Sequence, residues 1–312
     1  MAWRDRAWYV LARGTVKDFV EDKAARLGAA LAYYTVFSLA PLLVIVVGIV
    51  GLFLGQEAAQ GSLLDGMARV LGPDGAEMVR TMLSAGFSPG AGWLAATLGV
   101  LALLFGATGV VAQLKDALNT IWEVKPKPGR GLLRIVRTRV LSLGMVLAIG
   151  FLLLVSLVVS AGLAALGTTV RDALPGSEAI YFALNVLIAL VVTTALFALL
   201  FRFLPDVKVA WRDVTLGAFV TALLFNVGQA LLGLYLARAG AATAYGAAGS
   251  LVVILLWVFY SAQIFFLGAE FTQVYANRYG SRVRPSEDAE PISEDERLQQ
   301  GMEPRRRGRR AG

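Results

Sequence analysis

The side chains able to do chemistry in this chain form polar stripes inside or at the ends of apolar windows. In the run "YYTVFSLAPLL", Tyr34, Ser38 and Pro41 fall at i, i+4 and i+7. Asn226 and Gln229 are three apart, and Tyr260, Gln263 and Glu270 are related by steps of three and seven. Gln113, Asp116 and Asn119 repeat every three residues. At helical spacing each set occupies one face. Hydroxyl and amide groups on such faces exchange hydrogen bonds, so the chemistry they point to is a polar interior shared by several helices. Tyr34, Ser38, Asn226, Gln229, Tyr260 and Gln263 are therefore the candidate lining of a water- or ligand-filled cavity. The alternative is that these groups bond one another and simply hold the helices together.

A second set is ionic. Lys115, Asp116, Arg202, Asp206 and Glu270 all fall near one end of their apolar windows. They are expected to form an ionic cluster, with some of them snorkelling to water. Glu270 stands out because the 24 residues before it carry no charge, and Gly268 and Ala269 beside it allow close helix approach. A carboxylate there must find a partner, reach water or take up a proton. Arg202 is its expected partner, since a planar guanidinium suits a partly buried carboxylate better than an ammonium does.

Other chemistry is excluded by composition. The chain has no cysteine and no histidine. That removes disulfides, thiolate nucleophiles, imidazole metal ligands and the usual neutral-pH proton shuttle. There is no Walker-type glycine loop and no GxSxG. No catalytic, cofactor-binding or metal-binding residue is assigned, and no enzymatic activity is expected.

The elements that must carry these stripes follow from charge-free windows. Of 312 residues, 57% are apolar and 16% charged, against about 25% charged in soluble domains. Leu27–Gly55, Trp93–Ala112, Val140–Ala165, Ala179–Phe201, Val214–Ala237 and Gly246–Ala269 contain no charge. Each reaches the roughly 20 residues needed to cross hydrocarbon, and the backbone there must be helical. The expected fold is an all-α polytopic membrane protein with six transmembrane helices and short amphipathic helices beside them. The N-terminus shows no cleavable signal sequence, so the first span is expected to act as its own insertion signal.

Orientation comes from the loops. Alternate connecting segments hold 25 Lys and Arg on one side and 4 on the other, or 16 and 4 without the segment from 270 onward. The basic side is expected to be cytoplasmic, with both termini there. The net charge of +7 is read as this topology and attraction to anionic membrane lipids, not as nucleic-acid binding.

Three segments result. Residues 1–26 are an amphipathic stretch at the inner headgroups, with Thr15 and Asp18 resembling a capping box. Residues 27–279 hold the six helices, with a bend expected at Pro41 and two short amphipathic helices on either side of Pro73. Residues 280–312 are expected to be a disordered charged tail whose terminal "RRRGRR" is solvated or touches lipid.

The blocks "AALAYYTVFSLAPLL", "LNTIWEV", "FRFLPDVKVAWRDVTLGAFVTALLF" and "YGAAGSLVVILLWVFYSAQIFFLGAEFTQVYA" resemble the signature blocks of the YihY/BrkB family of bacterial inner-membrane proteins. The resemblance runs from about Asp18 to Tyr279. It implies six spans with both termini cytoplasmic, and a role in envelope integrity, serum resistance or export of a lipid-like or amphipathic envelope substrate. The rival expectation is a structural protein that supports the envelope and moves nothing. A ribonuclease label also travels with the family. Metal-dependent RNA hydrolysis wants clustered ligands, however, and the acids here are spread over different helix ends beside basic residues. The resemblance brings no catalytic residue with it.

Overall fold

The computed structural model describes residues 2–86, 109–128, 144, 178–239 and 249–299. The chain begins with helix α1 (Ala2–Glu21), breaks at Asp22 and Lys23, and continues as α2 (Ala24–Leu54). Lys23 takes a left-handed conformation, φ 54°, which turns the chain between the two helices. Gly55, at φ 85°, reverses it into α3 (Gln56–Gly86). Only glycine takes that dihedral without strain. Then come α4 (109–121) and strand β1 (Val124–Pro126). The second half holds α5 (Glu178–Phe203), β2 (Val207–Lys208), α6 (Trp211–Ala239) and α7 (Gly249–Arg278). It closes with β3 (Arg284–Pro285), β4 (Ala289–Pro291) and α8 (Glu294–Gln299).

Helix α7 is the hub: α6, α2, α1 and α3 all pack on it, while α5 packs on α6 and α3 on α2. Two cores result. The larger one gathers Phe197 and Phe201 of α5, Ala218 and Ala222 of α6, Phe265, Phe266 and Ala269 of α7, and Leu118 and Ile121 of α4. Its rings meet tilted (Phe201 and Phe265, centroids 5.0 Å apart), edge-on (Phe197 and Phe225, 5.4 Å) and stacked (Phe197 and Phe201, 6.3 Å). The smaller core joins Leu43 and Val47 of α2 to Ala59, Val79 and Leu83 of α3.

The seam between α6 and α7 is set by a repeated pair. Gly217 and Thr221 on α6 face Gly268 and Thr272 on α7, and each threonine side chain fills the space above the opposite glycine. Each threonine hydroxyl donates to the glycine carbonyl four residues earlier in its own helix, at 2.7 Å. All the polar groups of this seam are thus satisfied while the two backbones approach closely.

Among the described residues three helices are long and apolar enough to cross a membrane: Ala183–Phe203, Trp211–Tyr235 and Leu251–Arg278. They match the last three charge-free windows. The first, Leu27–Gly55, forms most of α2. Of Trp93–Ala112 only 109–112 lie within the described residues, and Val140–Ala165 falls outside them apart from residue 144.

Several local expectations are corrected. Thr15 does not cap a helix. It lies buried in the middle of α1, because Trp8 stacks on Phe271 and Leu11 is buried, so packing on α7 holds the preceding turns helical. Helix α2 runs through Pro41 as one element, which is compatible with the bend expected there. Helix α3 is one helix and not two, since residues on both sides of Pro73, Leu63, Leu64 and Met67 before it and Val79 and Leu83 after it, dock on the same face of α2. The tail is ordered over 281–299. It pairs β3 with β2 (Val207 opposite Pro285) and β4 with β1 (Lys125 opposite Glu290), both antiparallel. Residues 300–312, with the arginine run, lie outside the described residues.

Candidate functional site

The most unusual polar group is Glu270. It is fully buried in α7, at 0% exposure, and neither oxygen has a conventional donor. It faces the carboxyl of Asp22, itself 7% exposed, brought in by the break between α1 and α2. Two ionised carboxylates only accept, so the pair can be bonded only when it holds a proton. Burial pushes the Asp22 carboxyl up to about 7, and Asp18 adds to this by repulsion, while the bond to Glu270 and the charge of Arg297 pull the other way. Asp18, one turn earlier on α1, is likewise raised by burial and by Glu21, against the pull of Lys17 and Arg297. Lys17 pairs with Glu21 at 2.6 Å.

Asp18 also lines a cavity of about 400 Å³ between α1, α7, the start of β1 and the folded tail. Trp122, Glu123, Gln273, Asn277 and Pro291 form the rest of its wall. Trp122 is 2% exposed, and its indole N–H has no acceptor in the protein. A cavity of this size, with an acid and two carboxamides in its wall, accommodates several waters or a small polar molecule.

The tail is fastened around this cavity by directional bonds. Arg297, buried in α8, pairs with Glu123. Lys125 reaches Glu296 at 2.6 Å and Glu290 at 3.3 Å. Ser293 and Glu296 form a capping box: Ser293 N donates to the Glu296 carboxylate at 3.0 Å and Glu296 N to the Ser293 hydroxyl at 3.3 Å. Hydrogen bonds from Lys125 and Ser293 hold the Glu296 carboxyl down at about 2. Asp213, 4% exposed at the start of α6, accepts from Ser281 N at 2.8 Å and from the Ser281 hydroxyl at 2.7 Å.

The expected ionic cluster is divided among separate places. Lys115 and Asp206 pair at 2.8 Å, and Asn119 completes that site by donating to the Asp206 carboxylate at 3.1 Å and accepting from Asp206 N at 2.8 Å. Asp116 is exposed on the other side of α4. Arg202 is not the partner of Glu270. It donates to the Val209 carbonyl and lies over the Trp211 ring, 5.8 Å from the centroid, so it closes the 203–210 turn on itself.

The six candidate cavity residues are spread over three helix interfaces. Tyr260 sits against Gly228 on α6, close to Asn226 and Gln229 in sequence. Asn226 returns its amide to the Ala222 carbonyl at 2.8 Å. Gln263 occupies the room left by Gly28 on α2, and both polar atoms of its amide are buried without a partner. Ser38 is buried, with its hydroxyl donating to the Thr35 carbonyl at 3.1 Å. Tyr34 is exposed along one side and lies against Gly109 of α4.

Asp18 and Asp22 were legible only as the polar face of an interfacial helix. Nothing in the spacing of "VKDFVEDKAA" shows that the chain turns at Lys23 and carries Asp22 inward. Asp213, Trp122 and Arg297 gave no sequence signal of their own.

Comparison with known proteins decides the family, since the sequence profile described as Virulence factor BrkB matches residues 15–293. The chain belongs to the YihY/BrkB family. Relatives in this family are membrane proteins by name. The UPF0761 membrane protein of Pseudomonas aeruginosa strain LESB58 is 31% identical over 264 residues, 83% of this chain and 61% of the relative. Those of Ralstonia nicotianae and Stenotrophomonas maltophilia are 29% and 30% identical, over 85% and 88% of this chain and 59% and 62% of theirs. The chain thus spans about three fifths of the length of these BrkB-family relatives. No solved structure matches it.

Proposed function

We propose that this membrane protein moves a lipid-like or amphipathic envelope substrate across the bacterial inner membrane, without enzymatic turnover. The observation that carries the reading is Gln263. A carboxamide with both polar atoms buried and unpartnered, within an apolar helix, costs free energy unless a water, a substrate or a moving neighbour satisfies it. Tyr34, Ser38, Asn226, Gln229 and Tyr260, spread over the neighbouring helix interfaces, are the other polar groups that a substrate passing between the helices would meet. Six helices cross the bilayer and both termini are cytoplasmic, so the folded tail and the 400 Å³ cavity face the cytoplasm. With no nucleotide-binding loop in the sequence, movement is passive, ion-coupled or driven by a partner.

Reconstitution into liposomes containing a fluorescent phospholipid tests the reading. Protein-dependent exchange of the label between leaflets, reduced by Gln263→Leu, is the expected result. No exchange of phospholipid or of amphipathic solutes would leave the protein as a structural element of the envelope. Topology is tested separately: reporter fusions after Gly280 behave as cytoplasmic and fusions near Pro73 as external. An external C-terminus overturns the map.

A further inference from the structure

We propose that the Asp22–Glu270 pair is a proton-binding site, supplied from the charged-end cavity through Asp18, that couples proton uptake to the movements of α7. The inference rests on the transport reading for what the proton is used for, and on geometry for the site itself. Both carboxyls are more than nine-tenths buried, neither Glu270 oxygen has a donor, and the Asp22 carboxyl faces them. With both groups ionised, two negative charges would face each other out of water. One proton converts them into an acid hydrogen-bonded to a carboxylate and halves the charge.

Asp18 stands between the cavity and the pair in the chain. Asp18 lines the cavity, and Asp22 follows it by one helical turn on the way to the α1–α2 break. A proton from cavity water passes to the Asp18 carboxylate, then to the pair, and the water left behind is hydroxide or neutral according to whether the donor was water or hydronium. The other charged groups near the pair are Glu21 on α1, which opposes ionisation, and Arg297 on α8, which favours it. Arg297 belongs to the folded tail, so docking of α8 bears on how readily the proton is lost. Burial raises Asp22 to about 7, which puts exchange in the range of cytoplasmic pH. Glu270 lies on the helix on which α1, α2, α3 and α6 all pack. A change of charge there is felt at every one of those interfaces.

Infrared difference spectroscopy on the full chain in lipid nanodiscs, titrated from about pH 5 to about pH 9, tests the site directly. The expected signal is the carbonyl stretch of a protonated carboxyl that disappears as pH rises through neutrality. Asp22→Asn and Glu270→Gln each change its intensity and the pH at which it disappears, because one buried acid remains without the other, and Asp116→Asn, on the exposed side of α4, leaves it unchanged. Should Glu270→Gln fail to fold, Asp22→Asn decides alone. A wild-type protein with no such signal, or a signal whose intensity and titration are the same in Asp22→Asn as in the wild type, overturns the proposal. The two readings separate cleanly. A pair-dependent signal establishes the site even in a protein that moves no lipid, and lipid movement without the signal overturns the site while transport stands.

Discussion

The charged end of the bundle and the α2–α3 hairpin are held together by different physics. At the charged end, polar side chains reach across long sequence separations: Asn119 to Asp206, Asp213 to Ser281, Lys125 to Glu296. In the hairpin the polar groups turn back on their own helices. Thr35 donates to the Leu31 carbonyl, Ser38 to Thr35, Thr81 to Glu77 and Ser84 to Thr81. Between α2 and α3 the contact is aliphatic, Leu43 and Val47 against Ala59, Val79 and Leu83. Directional bonds fix angle and register, whereas methyl packing tolerates sliding as long as volume is kept. The end built from directional bonds is the one that holds the buried carboxyl pair and its cavity in place.

The largest effect that would break this contrast comes from the α6–α7 seam. A Cβ at Gly268 would collide with the side chain of Thr221, and one at Gly217 with Thr272. Gly268→Val is expected to cost about 4 kcal/mol or more and to yield protein that does not run as a single species in detergent. Gly268→Ala is milder, and combining it with Thr221→Gly, which moves the knob to the opposite helix, recovers most of the loss. Thermal unfolding in detergent measures both. Equal tolerance of valine at Gly48, where a Cβ meets nothing within 4 Å, and at Gly268 would show that the seam is not tight.

Next is the fastening of the tail. Asp213→Ala removes the acceptor of two hydrogen bonds from Ser281 in a buried place. A bond to a charged acceptor contributes about 1.5–3 kcal/mol net, so a loss of at least about 2–3 kcal/mol is expected. Proteolysis near Ser281 should accelerate together with it. Asp213→Asn, which keeps one acceptor, should lose less.

A third, smaller effect separates the two regions by pH. Asp22 binds its proton more tightly folded than unfolded, with a carboxyl moved from 3.8 to about 7. Its contribution is therefore complete below about pH 4 and is lost as pH rises toward about 7. Wild-type Tm should drift downward over that window, and Asp22→Asn should flatten the drift. Glu296 acts in the opposite sense: its lowered carboxyl contributes above about pH 4.5, and the contribution is lost as pH falls toward 2. A Tm that rises between pH 5 and 7 in wild type and not in Asp22→Asn would have the sign wrong for a buried acid pair.

What was legible in the sequence follows the same division. Apolar windows and charge asymmetry are bulk properties, set by transfer free energies that depend on composition, so the membrane class and the helices α2, α5, α6 and α7 were readable. Lys115, Asn119 and Asp206 were recognisable as polar residues at helix ends. Their union was not, because it depends on how the turn after Phe203 brings the Asp206 backbone against α4. The bend at Lys23 that creates the carboxyl pair uses a residue with no preference for a left-handed dihedral. The tail misled through its composition: proline and acid clusters read as disorder, yet the prolines sit in two-stranded pairs and the acids meet Lys125, Lys208 and Arg297. Cross-chain partners of this kind leave no periodicity to detect.

The smallest effect sharpens the comparison most. Ser38 is buried at 1% exposure, yet its hydroxyl is satisfied within its own helix by the Thr35 carbonyl. Replacing it with alanine removes one oxygen from a bond that α2 supplies to itself, and the Thr35 carbonyl keeps its place in the backbone ladder. Such intrahelical serine bonds add little to helix stability. Ser38→Ala should therefore change unfolding by no more than about 0.5 kcal/mol, far less than Asp213→Ala. Any larger effect on substrate movement than on stability would then come from the hydroxyl meeting substrate or water during transport. A loss of stability near 2 kcal/mol would instead mean that Ser38 bonds across to another helix, and the hairpin would no longer differ in kind from the charged end.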